Sequence, residues 1–429
     1  MIETPERRFI HSPNASEMPK TADVVIIGGG MAGPAASWAL QEAMPGIQTV
    51  LLEQANQLAT GASAASIENF RSSWPTPCLI AQMSRSIEIF THADQYLGEG
   101  SQKALNIRQR GYLYTGFNPE QAHALQSEVD DLHQKGLGHV EYLDQNEVHH
   151  RYPWLGPNVV AAKFDPQAGW LDSNGLAYQF AKAGEQAKFL LGMQQSSIIV
   201  EGDRVVGVMT EKGIIKTSSV IIAAGPGSRQ IGRTAGIELP IVMRPRHSFT
   251  TPVRDHGIPA DAPFTIGYNP RAYMRPEGEA GAIFGWEYNW KNRINPEASS
   301  SDYLVDPLPL DQVMDPRFPG AVLEVLGNQF GDIFNESYLR QGVRLRNGYY
   351  VSRAPEDGRP NNSQRAIIDK HPDIEGLYLS VAHVGHGVMS SPASGEMVAA
   401  YVLGNEQSDP IFKDFRLNVK EVKDDGGTL

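Results

Sequence analysis

Four short runs of apolar residues stand out along the chain, each bounded by glycine or polar residues. They lie at residues 23–27, 49–52, 219–225 and 377–382. Runs of this length predict buried strands of a parallel sheet. Longer stretches between them repeat apolar residues at helical spacing. The helices predicted from this spacing are 78–90, 119–135, 146–152 and 173–187.

The remaining segments are rich in short strand-like pieces, and residues 241–345 are also rich in proline. Alternating strands and helices in one set of segments, and strands in the other, indicate two domains. We predict a Rossmann-like α/β domain and a second, mostly antiparallel β domain. The first takes residues 21–109, 161–240 and 346–415, and the second takes 110–160 and 241–345. A last helix is predicted to start at or just past Pro392.

A glycine cluster follows the first apolar run directly. Gly28, Gly30 and Gly33 have the spacing of a dinucleotide-binding turn. In such a turn the first glycine makes the bend, the second lets the backbone approach a pyrophosphate, and the third lets helix and strand pack closely. Glu53 ends the second strand, where a carboxylate can accept hydrogen bonds from ribose hydroxyls. This context favours dinucleotide binding over a plain glycine turn.

Composition and charge narrow the class of protein. The 429 residues carry a formal net charge of -12, which disfavours nucleic acid as the main partner. No apolar run reaches the ~18–20 residues of a membrane span. Residues 1–20 are polar and are interpreted as a lead-in, without a targeting peptide. Cys78 is the only cysteine, so we expect no internal disulfide and a cytoplasmic location.

Metal binding is not expected. His149, His150 and His383 have no carboxylate or cysteine partners at ligand spacing.

Two further segments carry candidate chemistry. Residues 61–71 are small and flexible and end in Phe70 and Arg71, so they can lie flat against a ring system. Residues 383–392 follow the last predicted strand and contain two histidines and two glycines.

From Asp23 to Phe415 the chain resembles the FAD-dependent oxidoreductases of the D-amino-acid oxidase, glycine oxidase and sarcosine oxidase family. The resemblance is carried by five segments, and residues 241–345 match only in outline. The five segments are 28–33 with Glu53, 61–71, 164–169, 223–228 and 376–387.

This resemblance implies a glutathione-reductase-type fold in which FAD extends across the first domain. The isoalloxazine then reaches the interface with the second domain, and substrate binds over it. The turn at 385–387 would direct backbone N–H groups toward the pyrimidine end of the flavin, where negative charge builds on reduction. The implied FAD contacts are Gly28, Gly30, Met31, Ala32, Gly33, Glu53, Gln54, Gly61, Ala62, Ser63, Ala224, Gly225, Gly385, His386, Gly387, Val388 and Met389.

An amino-acid substrate needs an anchor for its carboxylate, and arginine matches the two oxygens. Arg71 falls where sarcosine-oxidase-like members place a carboxylate-binding arginine, and Arg275 is a second candidate. Tyr273 matches a pocket tyrosine of several relatives, Glu287 falls near a substrate-facing position, and His386 is a candidate catalytic residue. Each has a structural alternative in ion pairing, packing or solvation. The structural alternative is favoured for Arg275, Glu287 and the His386 side chain.

Two features depart from parts of the family. Sarcosine-oxidase-like members have a lysine where this chain has Met389, which disfavours a close sarcosine oxidase and fast oxidase activity. Some relatives attach FAD through a cysteine or a histidine. Residues 347–350 contain no cysteine and residues 61–66 no histidine, so we expect non-covalent FAD.

The main interpretation is an FAD-dependent oxidoreductase that acts on the CH–NH bond of an amino acid or secondary amine. Hydride passes to flavin N5, the imine hydrolyses, and oxygen or another acceptor takes the electrons. One alternative is a 2-hydroxy acid or alcohol dehydrogenase on the same fold. Another is a flavin-binding subunit with little activity alone. The substrate, the acceptor and the oligomeric state stay open.

Overall fold

Two large β-sheets, with helices packed on them, position the candidate site. The computed structural model describes residues 10–184, 186–287, 303–354, 364–405 and 410–419. The strands are β1 Ile10–His11, β2 Val24–Ile27, β3 Thr49–Leu52, β4 Asn69–Phe70, β5 Tyr112–Gly116, β6 Glu141–Asp144, β7 Ala161–Asp165, β8 Gly169–Trp170, β9 Lys188–Leu190, β10 Ser196–Glu201, β11 Arg204–Thr210, β12 Gly213–Lys216, β13 Val220–Ile222, β14 Ile241–Thr251, β15 Phe264–Gly267, β16 Ala272–Glu277, β17 Gly281–Trp286, β18 Arg344–Arg353, β19 Ile367–Lys370 and β20 Leu377–Val381. The α-helices are α1 Ala32–Ala43, α2 Ala62–Ala65, α3 Pro77–Thr91, α4 Ala93–Leu97, α5 Ser101–Leu105, α6 Pro119–Gln134, α7 Gln145–Arg151, α8 Ser173–Ala183, α9 Ser228–Thr234, α10 Phe318–Phe330 and α11 Gly387–Val402.

The first sheet has seven strands in the order β1-β9-β3-β2-β13-β20-β19. The pairs are parallel except β19 with β20. In β2, Val24 and Ile26 pack in the cluster formed with α1, α3, α8 and α11, whereas Val25 and Ile27 pack with the β10–β12 meander. Burial on both faces explains why this strand is apolar throughout. The predicted α/β fold with a Rossmann-like domain is confirmed.

The last helix begins earlier than predicted. Helix α11 starts at Gly387, and Pro392 lies inside it. Proline has no N–H to donate to the carbonyl of Val388, four residues earlier. The Ser391 hydroxyl donates to that oxygen instead, at 2.8 Å. Helix α8 also differs, because it ends at Ala183 rather than at Ala187 and β9 begins at Lys188.

The second sheet has eight strands in the order β18-β14-β17-β16-β15-β5-β7-β6. Its pairs are antiparallel except β15 with β5. Helices α7 and α10 cover one face, where Leu113, Ala162 and Phe284 join their core. Strand β7 belongs to this sheet because it pairs with β5 and β6, although the predicted boundary at residue 160 placed it in the first domain. Strand β18 likewise crosses the predicted boundary at 345.

A search of the described residues for membrane-spanning segments found no helix of sufficient length and apolar character.

Candidate active site

The three glycines of the turn after β2 have different surroundings. Gly28 has φ +120°, and a Cβ there would lie 2.3 Å from the Ala223 carbonyl oxygen. A Cβ on Gly33 would lie 1.9 Å from the Gly28 oxygen. On Gly30 the nearest atom would be Ser63 Oγ, 3.6 Å away. Gly28 and Gly33 are therefore required by packing, whereas Gly30 leaves its side of the turn open to a ligand.

Glu53 lies beside this open side, directly after β3. Its carboxylate accepts hydrogen bonds from the N–H groups of Gly29, at 2.6 Å, and Ala55, at 2.7 Å. These bonds fix the carboxylate and leave it further lone pairs for hydroxyl groups. The neighbouring Gln54 is exposed, and its backbone oxygen accepts a hydrogen bond from Gln194.

Helix α1 begins at Ala32, and no side chain caps it at Met31. Its first N–H groups and the positive end of its dipole are therefore suited to a phosphate. The segment Gly61, Ala62 and Ser63 lies close by, because Ser63 Oγ is the atom nearest to the Gly30 position.

The turn after β20 approaches from the next strand pair. Ala382 and Val384 have φ values of +61° and +51°, which is unusual for a β-branched residue such as Val384. The Val384 N–H donates to the Val351 oxygen of β18 at 2.8 Å. Helix α11 then starts at Gly387 with His386 at its N-cap position. Gly385, Val388 and Met389 thus belong to the start of this helix or to the turn before it.

These parts meet because β3, β2, β13 and β20 are parallel neighbours, so their carboxyl ends share one edge. Ala224 and Gly225 follow β13 at that edge, and a Cβ on Gly225 would have no neighbour within 4 Å. An open glycine turn, a fixed carboxylate and two helix N-termini at one edge fit an extended dinucleotide such as FAD.

One face of the eight-stranded sheet turns toward this edge. Residues in register share a face. Following the pairings from β6 to β18 gives one continuous row of eight residues. The row is Tyr142, Lys163, Tyr114, Ile266, Tyr273, Gly285, Ser248 and Arg346. Arg346 is the last residue of the row, and its guanidinium donates hydrogen bonds to the backbone oxygens of residues 64 and 66. This face of the sheet therefore packs against the end of α2 and the segment that follows it.

Arg71 lies where that segment meets the row. Its side chain is buried, with residue exposure of 4%, and its guanidinium carbon lies 3.7 Å from the Trp74 ring centroid and 5.8 Å from that of Tyr114. Nη1 donates to the Ser73 oxygen at 2.5 Å. Nε is buried without a hydrogen-bond partner, and within the described ranges no carboxylate forms an ion pair with it. A buried cation with unused donors is suited to bind an anion.

Tyr273 lies in the middle of the row. Its hydroxyl would lie 2.1 Å from a Cβ on Gly285, so the absence of a side chain at Gly285 is what lets this ring lie across β17. Burial raises the pKa of Tyr273 well above its usual value. Glu287 follows β17, and Oε1 lies 3.9 Å from Arg246 Nε. Glu287 therefore lies in reach of a cation on β14, at the edge of the same face.

The guanidinium of Arg275 is hydrogen-bonded to other groups of the protein. Nε and Nη2 donate to the Ile67 oxygen at 3.2 and 2.8 Å, and Nη1 donates to Glu277 and to the Pro276 oxygen. These contacts favour the structural alternative over a substrate role.

His386 is a packed side chain. Its ring meets Trp74 edge-on with centroids 5.1 Å apart, and Nε2 is hydrogen-bonded to the Gln364 carbonyl oxygen. Because a carbonyl oxygen only accepts, the proton lies on Nε2 and leaves Nδ1 with a lone pair. Burial lowers the pKa of His386 to about 3 and that of His383 to about 4, so both rings are neutral near pH 7.

The sequence reasoning did not select Tyr114 and Lys163. Lys163 Nζ lies 4.4 Å from the Tyr114 ring centroid and forms an ion pair with Glu128 of α6. Burial lowers the pKa of Lys163, and the hydroxyl of Tyr114 is buried without a partner in the part of the chain that the structure describes. Only strand register could have found them, because they become neighbours through pairing of β5 with β7.

Comparison with known proteins agrees with this geometry. A family model described as "DAO: FAD dependent oxidoreductase" matches residues 23–401. Mitochondrial sarcosine dehydrogenase of Mus musculus is 24% identical over 93% of this chain and 42% of its own length. Sarcosine oxidase subunit beta of Rhizobium meliloti (strain 1021) is 24% identical over 92% of this chain and 88% of its own.

The fold is also found in solved structures. L-proline dehydrogenase from P. horikoshii has a TM-score of 0.77 at 22% identity, covering 93% of this chain and 97% of its own. No group of residues able to hold a metal ion occurs among those the structure describes. The chain spans less than half the length of the mouse sarcosine dehydrogenase that it matches. The family match covers most of the chain, and the protein belongs to the DAO family of FAD-dependent oxidoreductases.

Proposed function

We propose that the protein oxidises the C–H bond next to nitrogen in an amino acid or secondary amine that carries a carboxylate. The observation that carries this proposal is Arg71. It is a buried cation with a free Nε and no carboxylate partner among the described residues. It lies between the edge of the first sheet, where FAD is expected to bind, and the face of the second sheet that carries Tyr114. A substrate carboxylate would complete its hydrogen bonds and balance its charge.

Each part of the site has a separate task. Arg71, held over Trp74, orients the substrate by its carboxylate. The apolar and aromatic row around Tyr114 and Tyr273 excludes water. The N-terminus of α11 supplies N–H donors and a positive dipole end, which would stabilise the negative charge that builds on the flavin when it is reduced. When bound, FAD accepts the hydride. The substrate nitrogen lone pair forms the C=N bond as the hydride leaves, and water hydrolyses the imine.

The names of the relatives support this class of substrate. Sarcosine and L-proline, named for the mouse and P. horikoshii proteins, are both secondary amines with a carboxylate. We also propose that FAD is held without a covalent bond, since the single cysteine, Cys78, packs in the helical core and residues 347–350 of β18 contain none. A cytoplasmic location is proposed on the same single-cysteine count. Oxygen and a second redox partner are both open as acceptors.

An anaerobic reduction screen tests the proposal. The FAD-loaded protein is mixed with L-proline, sarcosine, a primary amino acid, pyrrolidine and a 2-hydroxy acid, and the visible flavin absorbance is followed. We expect bleaching by an amine that carries a carboxylate, and at least ~100-fold weaker bleaching by pyrrolidine, which has none. Bleaching by the hydroxy acid alone would instead assign a dehydrogenase of 2-hydroxy acids. No bleaching by any compound would support a subunit with little activity alone.

A further inference from the structure

The segment that approaches the glycine turn is held from the opposite domain. Arg346, on β18, directs Nη2 at two backbone oxygens at the end of helix α2, those of Ala64 at 2.6 Å and Ser66 at 2.9 Å. A guanidinium is well suited to the free carbonyls at a helix end, by hydrogen bonding and by charge. The neighbouring Gly348 allows close approach, because a Cβ there would lie 3.1 Å from that of Ala65.

A second arginine continues the same contact. Arg275 of β16 donates twice to the Ile67 oxygen, at 2.8 and 3.2 Å. Its Nη2 also lies 3.6 Å from Glu68 Oε2. Glu68 has φ +62° and accepts hydrogen bonds from the hydroxyl and N–H of Ser173. Three backbone carbonyls of this segment, those of Ala64, Ser66 and Ile67, are therefore held by strands of the second sheet. The Glu68 carboxylate is held by Ser173 at the start of α8.

The other side of this segment faces the glycine turn after β2, at the open position beside Gly30. Ser63 lies in the same short helix as Ala64, and its Oγ is the atom nearest to a Cβ on Gly30, at 3.6 Å. Gly30 is the glycine whose surroundings leave space for the cofactor. Moving the end of α2 by an ångström would move Ser63 toward or away from that space.

We propose that Arg346 is a positioning residue for FAD, acting through the backbone of residues 62–66. The second domain thereby controls how tightly the first domain retains its cofactor. This inference needs only FAD binding and does not depend on the substrate proposed above.

Cofactor release from the loaded protein tests it. Arg346→Gln shortens the side chain and removes its charge. Arg346→Lys keeps the charge but replaces the rigid, planar guanidinium with a shorter, flexible ammonium group. Arg344→Gln is the control, since Arg344 is exposed two residues earlier on the same strand. Release of FAD on dilution is followed by flavin fluorescence, and the melting temperature of each loaded and FAD-depleted protein is recorded alongside.

We expect release about tenfold faster in Arg346→Gln, an intermediate rate in Arg346→Lys and an unchanged rate in the control. The FAD-depleted proteins should melt within a few degrees of one another, because the contact acts on the cofactor segment. Release within twofold of the parent in both Arg346 variants would overturn the proposal. Faster release of FAD, together with a melting temperature of the FAD-depleted variant that is lower by more than a few degrees, would show a purely structural contact and would also overturn the proposal. Should Arg346→Gln fail to fold, Arg346→Lys decides between these outcomes.

Discussion

Replacing Arg71 by glutamine should strongly weaken the binding of a substrate carboxylate and leave the fold in place. Nη1 of Arg71 bonds to the Ser73 oxygen, and Nε has no partner in the described structure. The substitution therefore removes a cation whose main partner is expected to be the substrate. The protein loses the stacking on Trp74, worth about 0.5–2 kcal/mol, and is relieved of a buried charge that lacks a counter-ion.

The magnitude follows from burial. Arg71 is only 4% exposed, so a carboxylate bound to it is largely out of water. Hydrogen bonds to charged groups contribute about 1.5–3 kcal/mol each, and removing one partner of a buried charge pair costs about 2–5 kcal/mol. We take ~2–4 kcal/mol for Arg71→Gln, which is a ~30- to ~1000-fold weaker affinity for the carboxylate. Arg71→Lys keeps the charge but loses the two-pronged contact, so its affinity should fall less.

The assay separates binding from chemistry. Acetate, which cannot be oxidised as an amine, is titrated into the FAD-loaded protein, and its dissociation constant is read from the change in the flavin spectrum. Anaerobic flavin reduction by the best amine from the screen is measured in parallel. The control is Arg110→Gln, which removes an exposed positive charge and should leave both values unchanged.

Arg71 is not the carboxylate anchor if Arg71→Gln binds acetate as tightly as the parent protein while it retains FAD. An equal loss in Arg110→Gln would show that overall charge, and not a local anchor, governs binding.

Three further predictions concern the cofactor turn and the helix that follows β20. Gly30→Val should fold with a near-parental melting temperature but purify without flavin absorbance, whereas Gly33→Val should be unstable, since its Cβ would lie 1.9 Å from a backbone oxygen. His386 has its pKa lowered to about 3, so unfolding takes up a proton below pH ~6.5 and the free energy of unfolding falls by about 1.4 kcal/mol per pH unit toward pH 3. When the free energy of unfolding is measured by urea denaturation between pH 7 and 4, its slope against pH should be shallower in His386→Gln by about that amount. An identical slope in the parent and the variant would contradict the assigned neutral ring. Ser391→Ala should lower the free energy of unfolding by about 1 kcal/mol, because it leaves the Val388 oxygen without its donor; a matched Ser390→Ala variant tests whether the loss is specific.

Local sequence pattern was sufficient for the parts of the site that are local in the chain. The turn at Gly28, Gly30 and Gly33 lies between a strand and a helix, and its chemistry depends only on spacing. The start of α11 was wrong because the expectation used the rule that proline opens a helix. The Ser391 hydroxyl supplies the hydrogen bond that Pro392 cannot donate. The presence of a serine before the proline does not by itself show that its side chain makes this bond.

The sheet face could not be predicted in the same way. Tyr114 and Lys163 are 49 positions apart in the chain, and the pairing of β5 with β7 makes them neighbours. From the sequence, Arg71 and Arg275 are both candidate carboxylate anchors, with the structural alternative favoured for Arg275. The structure distinguishes them by their partners, since Arg275 donates to the Ile67 oxygen and Glu277 while Arg71 retains an unpaired Nε in the described part of the chain.

A crystal structure of the protein loaded with FAD and soaked with acetate tests the role of Arg71 directly. We expect the pyrophosphate over Gly30 at the start of α1 and the isoalloxazine between the start of α11 and the Tyr273 row. The acetate oxygens should lie within hydrogen-bonding distance of the Arg71 guanidinium. Acetate bound at another cation, such as Arg246, with Arg71 held only by protein carbonyls, would contradict an anchoring role for Arg71.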